Sequence, residues 1–198
     1  MRKKNLTKTN SSGFTLIELL VTLSIFAITT GIVMTSQGKF DNSVLLTNTA
    51  YDIAITLRQA QTFGVNVKEG VVEGEFNPYG VVFDNGDNKR FNLFEDLGGN
   101  FKHDGEFVCV DTDTECVNSY KIKRGHKIMS ICAGADAGDC GVVSTLNISF
   151  KRPNPEAIIL GDDILGNNYA KIVISSADES ATRSIIVTKV GQIYVKNN

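Results

Sequence analysis

The chain has no tryptophan, only three prolines, two histidines and four cysteines among its 198 residues. Each scarcity excludes something. There is no C-x2-C pair, and only His103 and His126 could supplement Cys109, Cys116, Cys132 and Cys140, so the ligand spacing of a structural zinc site is missing. No G-x-S-x-G, H-E-x-x-H or phosphate-loop pattern occurs, and no nucleophile stands beside a base. His103 and His126 lie in polar sequence contexts and read as surface residues. Asp111, Asp113 and Glu115 form an acidic ladder, and Asp84 and Asp87 a smaller cluster. Neither has the glycine and twelfth-position glutamate of an EF-hand, so both read as solvated loops. The expectation is a chain that is no enzyme and needs neither metal nor cofactor. Internal repeats and low-complexity tracts are absent too.

What is present concentrates at the start. Residues 1–12 carry Arg2, Lys3, Lys4 and Lys8 and no acid, while residues 14–34 carry Glu18 as their only ionisable side chain. At about 1.5 Å per residue the second stretch makes a helix of roughly 30 Å, enough to cross a bilayer. The basic flank predicts that the leader stays cytoplasmic and that the bulk of the chain is exported. An ordinary secretory signal would put an A-x-A cleavage site after the apolar run, and the region Met34–Gly38 has none. A carboxylate this near the start of a span is costly in lipid and calls for a partner. A glutamate in the first turn also suits the positive end of the helix dipole.

Gly13-Phe14-Thr15-Leu16-Ile17-Glu18, followed by a long apolar tail, resembles the N-terminus of type IV pilins and type II secretion pseudopilins. The resemblance implies a cut by prepilin peptidase between Gly13 and Phe14, N-methylation of Phe14, and a charge pair in which Glu18 meets the Phe14 amine of a neighbouring subunit. It implies the cytoplasmic membrane, the peptidase and other pilin or pseudopilin subunits as partners. The implied fold is α+β and pilin-like, a long N-terminal helix packed on antiparallel sheet. Many major pilins have a helix proline near the position of Thr35. Its absence here favours a minor subunit. The C-terminal segment Arg183–Val195, after a strand ending in Arg152-Pro153-Asn154-Pro155, looks like the H-type minor pseudopilins and FimT-type minor pilins.

Four segments follow: a leader over 1–13, a membrane and assembly helix over 14–34, its amphipathic continuation over 35–64, and an exported β-rich domain over 65–198. With the four leader cations removed, 20 basic and 22 acidic residues become a mature chain of net charge −6. Leu46, Ala50, Ile53, Leu57 and Ala60 fall on one helical face, with Asp52, Thr56 and Arg58 off it. Gly31 and Gly38, each costing roughly 1 kcal/mol against alanine, mark a place for a bend or local melting. Asn85-Gly86-Asp87-Asn88 reads as a hairpin turn between strands 79–84 and 89–95. Val142–Lys151 reads as an alternating strand with Val142, Leu146, Ile148 and Phe150 inward and Thr145, Asn147, Ser149 and Lys151 outward. Strands 157–160, 169–175, 182–190 and 192–196 complete the pattern, the last two joined at Gly191.

Four cysteines in an exported segment predict two disulfides, with three possible connectivities. Two turn-rich loops tied at their bases favour Cys109–Cys116 and Cys132–Cys140. The one basic cluster is Tyr120–Lys127. Lys121, Lys123, Arg124 and Lys127 offer DNA a phosphate contact, as in minor pilins that serve DNA uptake, although a solvated strand face and turn accounts for the same charges.

Overall fold

The computed structural model describes residues 13–66, 76–109 and 114–197, with the backbone alone over 35–42. Leader residues 1–12, together with Asp111 and Asp113, lie outside the described residues. Among the described residues one helix, α1 (Leu16–Val65), precedes eleven strands. The chain divides into two compact units, Met1–Asp41 and Asn42–Asn198, and α1 contributes to both. Its helical backbone runs through Gly31 and Gly38 rather than melting there.

In the first unit, Leu16–Met34 has a mean hydropathy of 2.2 and none of it is buried. Three of its hydroxyls are satisfied within the helix. Thr22 donates to the Leu19 carbonyl, Ser24 to Leu20 and Thr29 to Ile25. Hydroxyls turned back onto the helix's own carbonyls suit hydrocarbon surroundings.

In the second unit two antiparallel sheets enclose a core with the helix. The six-stranded sheet has the order β3-β2-β1-β6-β7-β8, and the five-stranded sheet β11-β10-β9-β4-β5. The strands are β1 (Tyr79–Asp84), β2 (Arg90–Glu95), β3 (Cys116–Lys121), β4 (Lys127–Gly134), β5 (Cys140–Val142), β6 (Thr145–Phe150), β7 (Ala157–Gly161), β8 (Ile164–Asn167), β9 (Tyr169–Ser175), β10 (Thr182–Thr188) and β11 (Ile193–Asn197). The fold is α+β, a helix combined with two antiparallel sheets.

Leu46, Ala50, Ile53, Leu57 and Ala60 are all buried in one cluster with Ile148, Phe150, Ile172 and Ile185 from the sheets. Thr56, expected off that face, is buried and donates to the Asp52 carbonyl, which satisfies its hydroxyl inside the helix. Polar clamps add direction to the apolar contact. Arg183 on β10 donates to Ser43 and Thr47, and Gln61 donates to the Pro155 and Gly191 carbonyls. Near its end the helix comes so close to β6 that a Cβ on Gly64 would collide with the Phe150 carbonyl. Gly191 takes φ 83° in the turn between β10 and β11, a conformation that glycine adopts at no steric cost.

The hairpin at Asn85–Asn88 joins β1 and β2 with Tyr79 opposite Glu95. The expected strand Val142–Lys151 is divided. Val142 belongs to β5, opposite Cys132, and is 73% exposed, while β6 begins at Thr145. Leu146, Ile148 and Phe150 do face the core, but Asn147 and Ser149 on the other face are buried as well. The loop 96–104 covers them: the His103 amide donates to Asn147 Oδ1, and Ser149 donates to the Phe101 carbonyl.

Candidate functional site

The N-terminal residues form a compact local arrangement. Gly13 and Phe14 are exposed and precede the helix. Glu18 Oε2 accepts from the Thr15 amide at 3.0 Å and from the Thr15 hydroxyl at 2.8 Å, and the Glu18 amide points back to Thr15 Oγ1 at 3.4 Å. This is a reciprocal capping box, with Thr15 at the N-cap and Glu18 three residues on. Its signature, T-x-x-E before an apolar run, stands in the sequence at Thr15–Glu18, so Thr15 was legible as a working residue. The Glu18 carboxylate is therefore held at the first turn of α1 by Thr15, the residue that follows Phe14. If Phe14 carried a free α-amine, that cation would stand beside the same turn.

The cysteines pair locally, Cys109 with Cys116 and Cys132 with Cys140, at Cα separations of 5.8 and 5.5 Å. Glu115, beside the first pair, is buried and not solvated. Its Oε1 accepts from the Leu97 and Gly98 amides and its Oε2 from Asp104. Asp96 accepts from the amides of Gly99, Asn100 and Phe101. Two carboxylates thus gather six backbone donors and fix the loop that covers β6. The other acids have local roles too: Asp84 accepts from the Gly86 amide, and Asp87 pairs with Arg90 at 2.6 Å.

His126 is also not a surface residue. It is 2% exposed and its Nδ1 lies 2.9 Å from Thr49 Oγ1 on the helix. The same Thr49 hydroxyl lies 3.1 Å from the Leu45 carbonyl, so the threonine links His126 to the helix backbone. Burial, and secondarily the Arg124 charge, hold His126 below the ordinary imidazole range. His103 is half-buried, edge-on to Phe94.

The basic cluster splits. Lys127 is paired with Glu179 at 2.5 Å, whereas Lys121, Lys123 and Arg124 are exposed. Those three line a groove of about 520 Å³ between helix residues 45–59 and the edge strand β3. Phe91, Tyr120 and Ile122 supply apolar wall, and Ile55 on the helix faces them while 58% exposed. Asp52 is the single acid lining it.

Among known families, the model described as the prokaryotic N-terminal methylation motif matches residues 8–34. The match covers both sides of the Gly13–Phe14 bond and the apolar helix through Met34. It supports a prepilin-type protein of the pilin or pseudopilin kind, and with the apolar helix it is consistent with a single-pass membrane anchor. No curated protein and no solved structure matches the chain.

Proposed function

We propose that the chain is a minor subunit of a type IV pilus or a type II secretion pseudopilus. In this reading prepilin peptidase removes residues 1–13 at the cytoplasmic membrane and Phe14 becomes the N-methylated first residue. The β-rich domain lies outside that membrane. Subunits then join through their apolar helices, each Glu18 neutralised by the Phe14 amine of a neighbour. The chain is a substrate of an enzyme and a mechanical part, not a catalyst.

One observation carries the proposal. The only carboxylate in an exposed membrane-length helix is held in its first turn by Thr15, next to the bond whose cleavage would create a cation. An acid without a partner at that depth is costly, and a partner generated by processing explains why the acid and the cut site stand together. The absence of a helix proline near Thr35 favours the minor role.

Mass spectrometry of the mature chain isolated from its membrane tests the reading. The expected product begins at Phe14 and carries one added methyl group. An intact Met1, or a cut beyond Met34, overturns it.

A further inference from the structure

Strand β3 ends the six-stranded sheet and pairs on one side only, with β2. The Ile122 amide donates to the Lys89 carbonyl, and the register sets Tyr120 opposite Phe91 and Asn118 opposite Leu93. In an antiparallel pair, residues that exchange backbone hydrogen bonds alternate with residues that do not. Ile122, Tyr120 and Asn118 therefore turn their backbone groups to β2, while Ser119 and Lys121 turn theirs away from the sheet. Both Ser119 and Lys121 are exposed. A row of outward amides and carbonyls on an edge strand is a template for another extended chain.

That edge runs along the groove between α1 and β3. Tyr120 reaches the helix, its hydroxyl 3.5 Å from Gln59 Oε1, and exposed Ile55 forms the facing wall. Among the described residues, Lys121, Lys123 and Arg124 have no acidic partner, whereas Lys127 is held by Glu179. Three cations thus stand against the single acid Asp52 on a chain of negative net charge. Their turn is fixed. Arg124 and Gly125 take φ of 63° and 75°, and His126 behind them is tied to Thr49. The aromatic wall is turned inward: Phe91 is 4% exposed and stacks on both Phe83 and Tyr120, so it offers a nucleic-acid base no free face.

We propose that the groove binds an extended acidic segment of a different protein, which adds antiparallel to β3 as a further strand. The segment's backbone pairs with Ser119 and Lys121. Because side chains alternate across a strand, the segment that fits has an apolar residue opposite Tyr120, facing Ile55, and an acid opposite Lys121, with a further acid toward Lys123 and Arg124. Main-chain pairing supplies affinity, and the alternation of apolar and acidic side chains supplies specificity. The opposite charge of the segment selects it over neutral and basic chains. The contact covers the edge and does not repeat. It does not depend on assembly through the N-terminal helix.

The full chain, held in nanodiscs of phosphatidylcholine, is titrated with a labelled, end-blocked peptide of strand length, about six residues, alternating valine and glutamate. Saturable binding is expected. Lys123→Glu should weaken it about tenfold. Ser119→Pro should abolish it, because it removes an outward amide that the pairing with β2 does not use, a change that an edge strand tolerates. Unchanged hydrogen-exchange protection in β9 and β10 identifies the variants as folded. Two further peptides test the pairing on the parent chain and need no variant. Methylating the backbone nitrogens of the glutamates should abolish binding, and methylating those of the valines should leave it. Single-stranded DNA of equal charge should not compete. The proposal is overturned by absence of saturable binding, by folded variants that bind as the parent does, or by indifference to glutamate methylation. Competition by the DNA also overturns it and makes the groove a nucleic-acid site. An uncut N-terminus in the same preparation overturns the assembly reading alone.

Discussion

Glu115→Ala removes the acceptor for three backbone amides, those of Leu97, Gly98 and Asp104. A hydrogen bond to a charged group is worth about 1.5–3 kcal/mol, but such bonds on one carboxylate are not additive, and an opened loop regains water. Counting one to two full bonds gives a loss of about 3 kcal/mol, felt locally. The loop between Asp96 and Asp104 should then open more often while the sandwich stays closed. Hydrogen exchange followed by mass spectrometry reads this directly. Because 1.4 kcal/mol is a factor of ten, amides of residues 97–104 should exchange about a hundredfold faster. Protection in β9 and β10 should be unchanged. Glu115→Gln retains one carbonyl acceptor and should fall between. The reasoning fails if exchange over 97–104 is unaltered, or if β9 and β10 lose protection equally, which would make Glu115 a determinant of the whole domain.

Glu18 makes a cap with Thr15, and the proposed function adds a charge offered to a neighbour; the two are separable. Glu18→Ala loses both, and the lost cap costs about 1 kcal/mol of helix stability. Glu18→Gln keeps a capping oxygen and loses the charge. Both variants should insert and be cleaved normally yet fail to enter filaments; a Gln variant that assembles at parental levels leaves capping as the whole role. For His126, the folded-state affinity for a proton is below the ordinary value because of burial. The unfolded chain therefore binds the proton more readily, so this contribution to stability is complete above about pH 6.5 and is lost as the pH falls below it. Denaturation midpoints at pH 7.5 and 5.5 should diverge more for the parent than for His126→Gln; equal divergence would remove His126 as the cause.

The readable parts of the fold were those governed by one period. The stripe from Leu46 to Ala60 shows its 3.6-residue spacing because a single face packs, and β9 alternates, whereas β10 is read from its continuous apolar run, buried over Ser184–Val187. The unread strands have specific reasons. In β4 a register shift between Ile128 and Ser130 inserts a residue, so Ile128 and Ile131 both reach the core at a spacing foreign to a regular strand. Edge strands β3 and β8 are largely exposed and carry no alternation to detect. Asn147 and Ser149 looked like solvent-facing positions because their cover comes from a loop some 45 residues earlier, with separations of 44 and 48. Sequence separation also hid the work of Glu115, whose partners lie 11 to 18 positions away, and of His126, whose partner Thr49 lies 77 away. At the N-terminus the T-x-x-E signature lies within four residues, yet the reciprocity of Thr15 with Glu18 went unread.

Both cystine bridges are short, spanning 7 and 8 positions, and each stays within the territory of one sheet. By loop-closure entropy each contributes about 2.5 kcal/mol. Neither staples one layer of the domain to the other, nor the helix to either. Oxidation is thus a finishing step and not a precondition for reaching this topology. Under reductant the domain would loosen two surface loops and keep its two-sheet core.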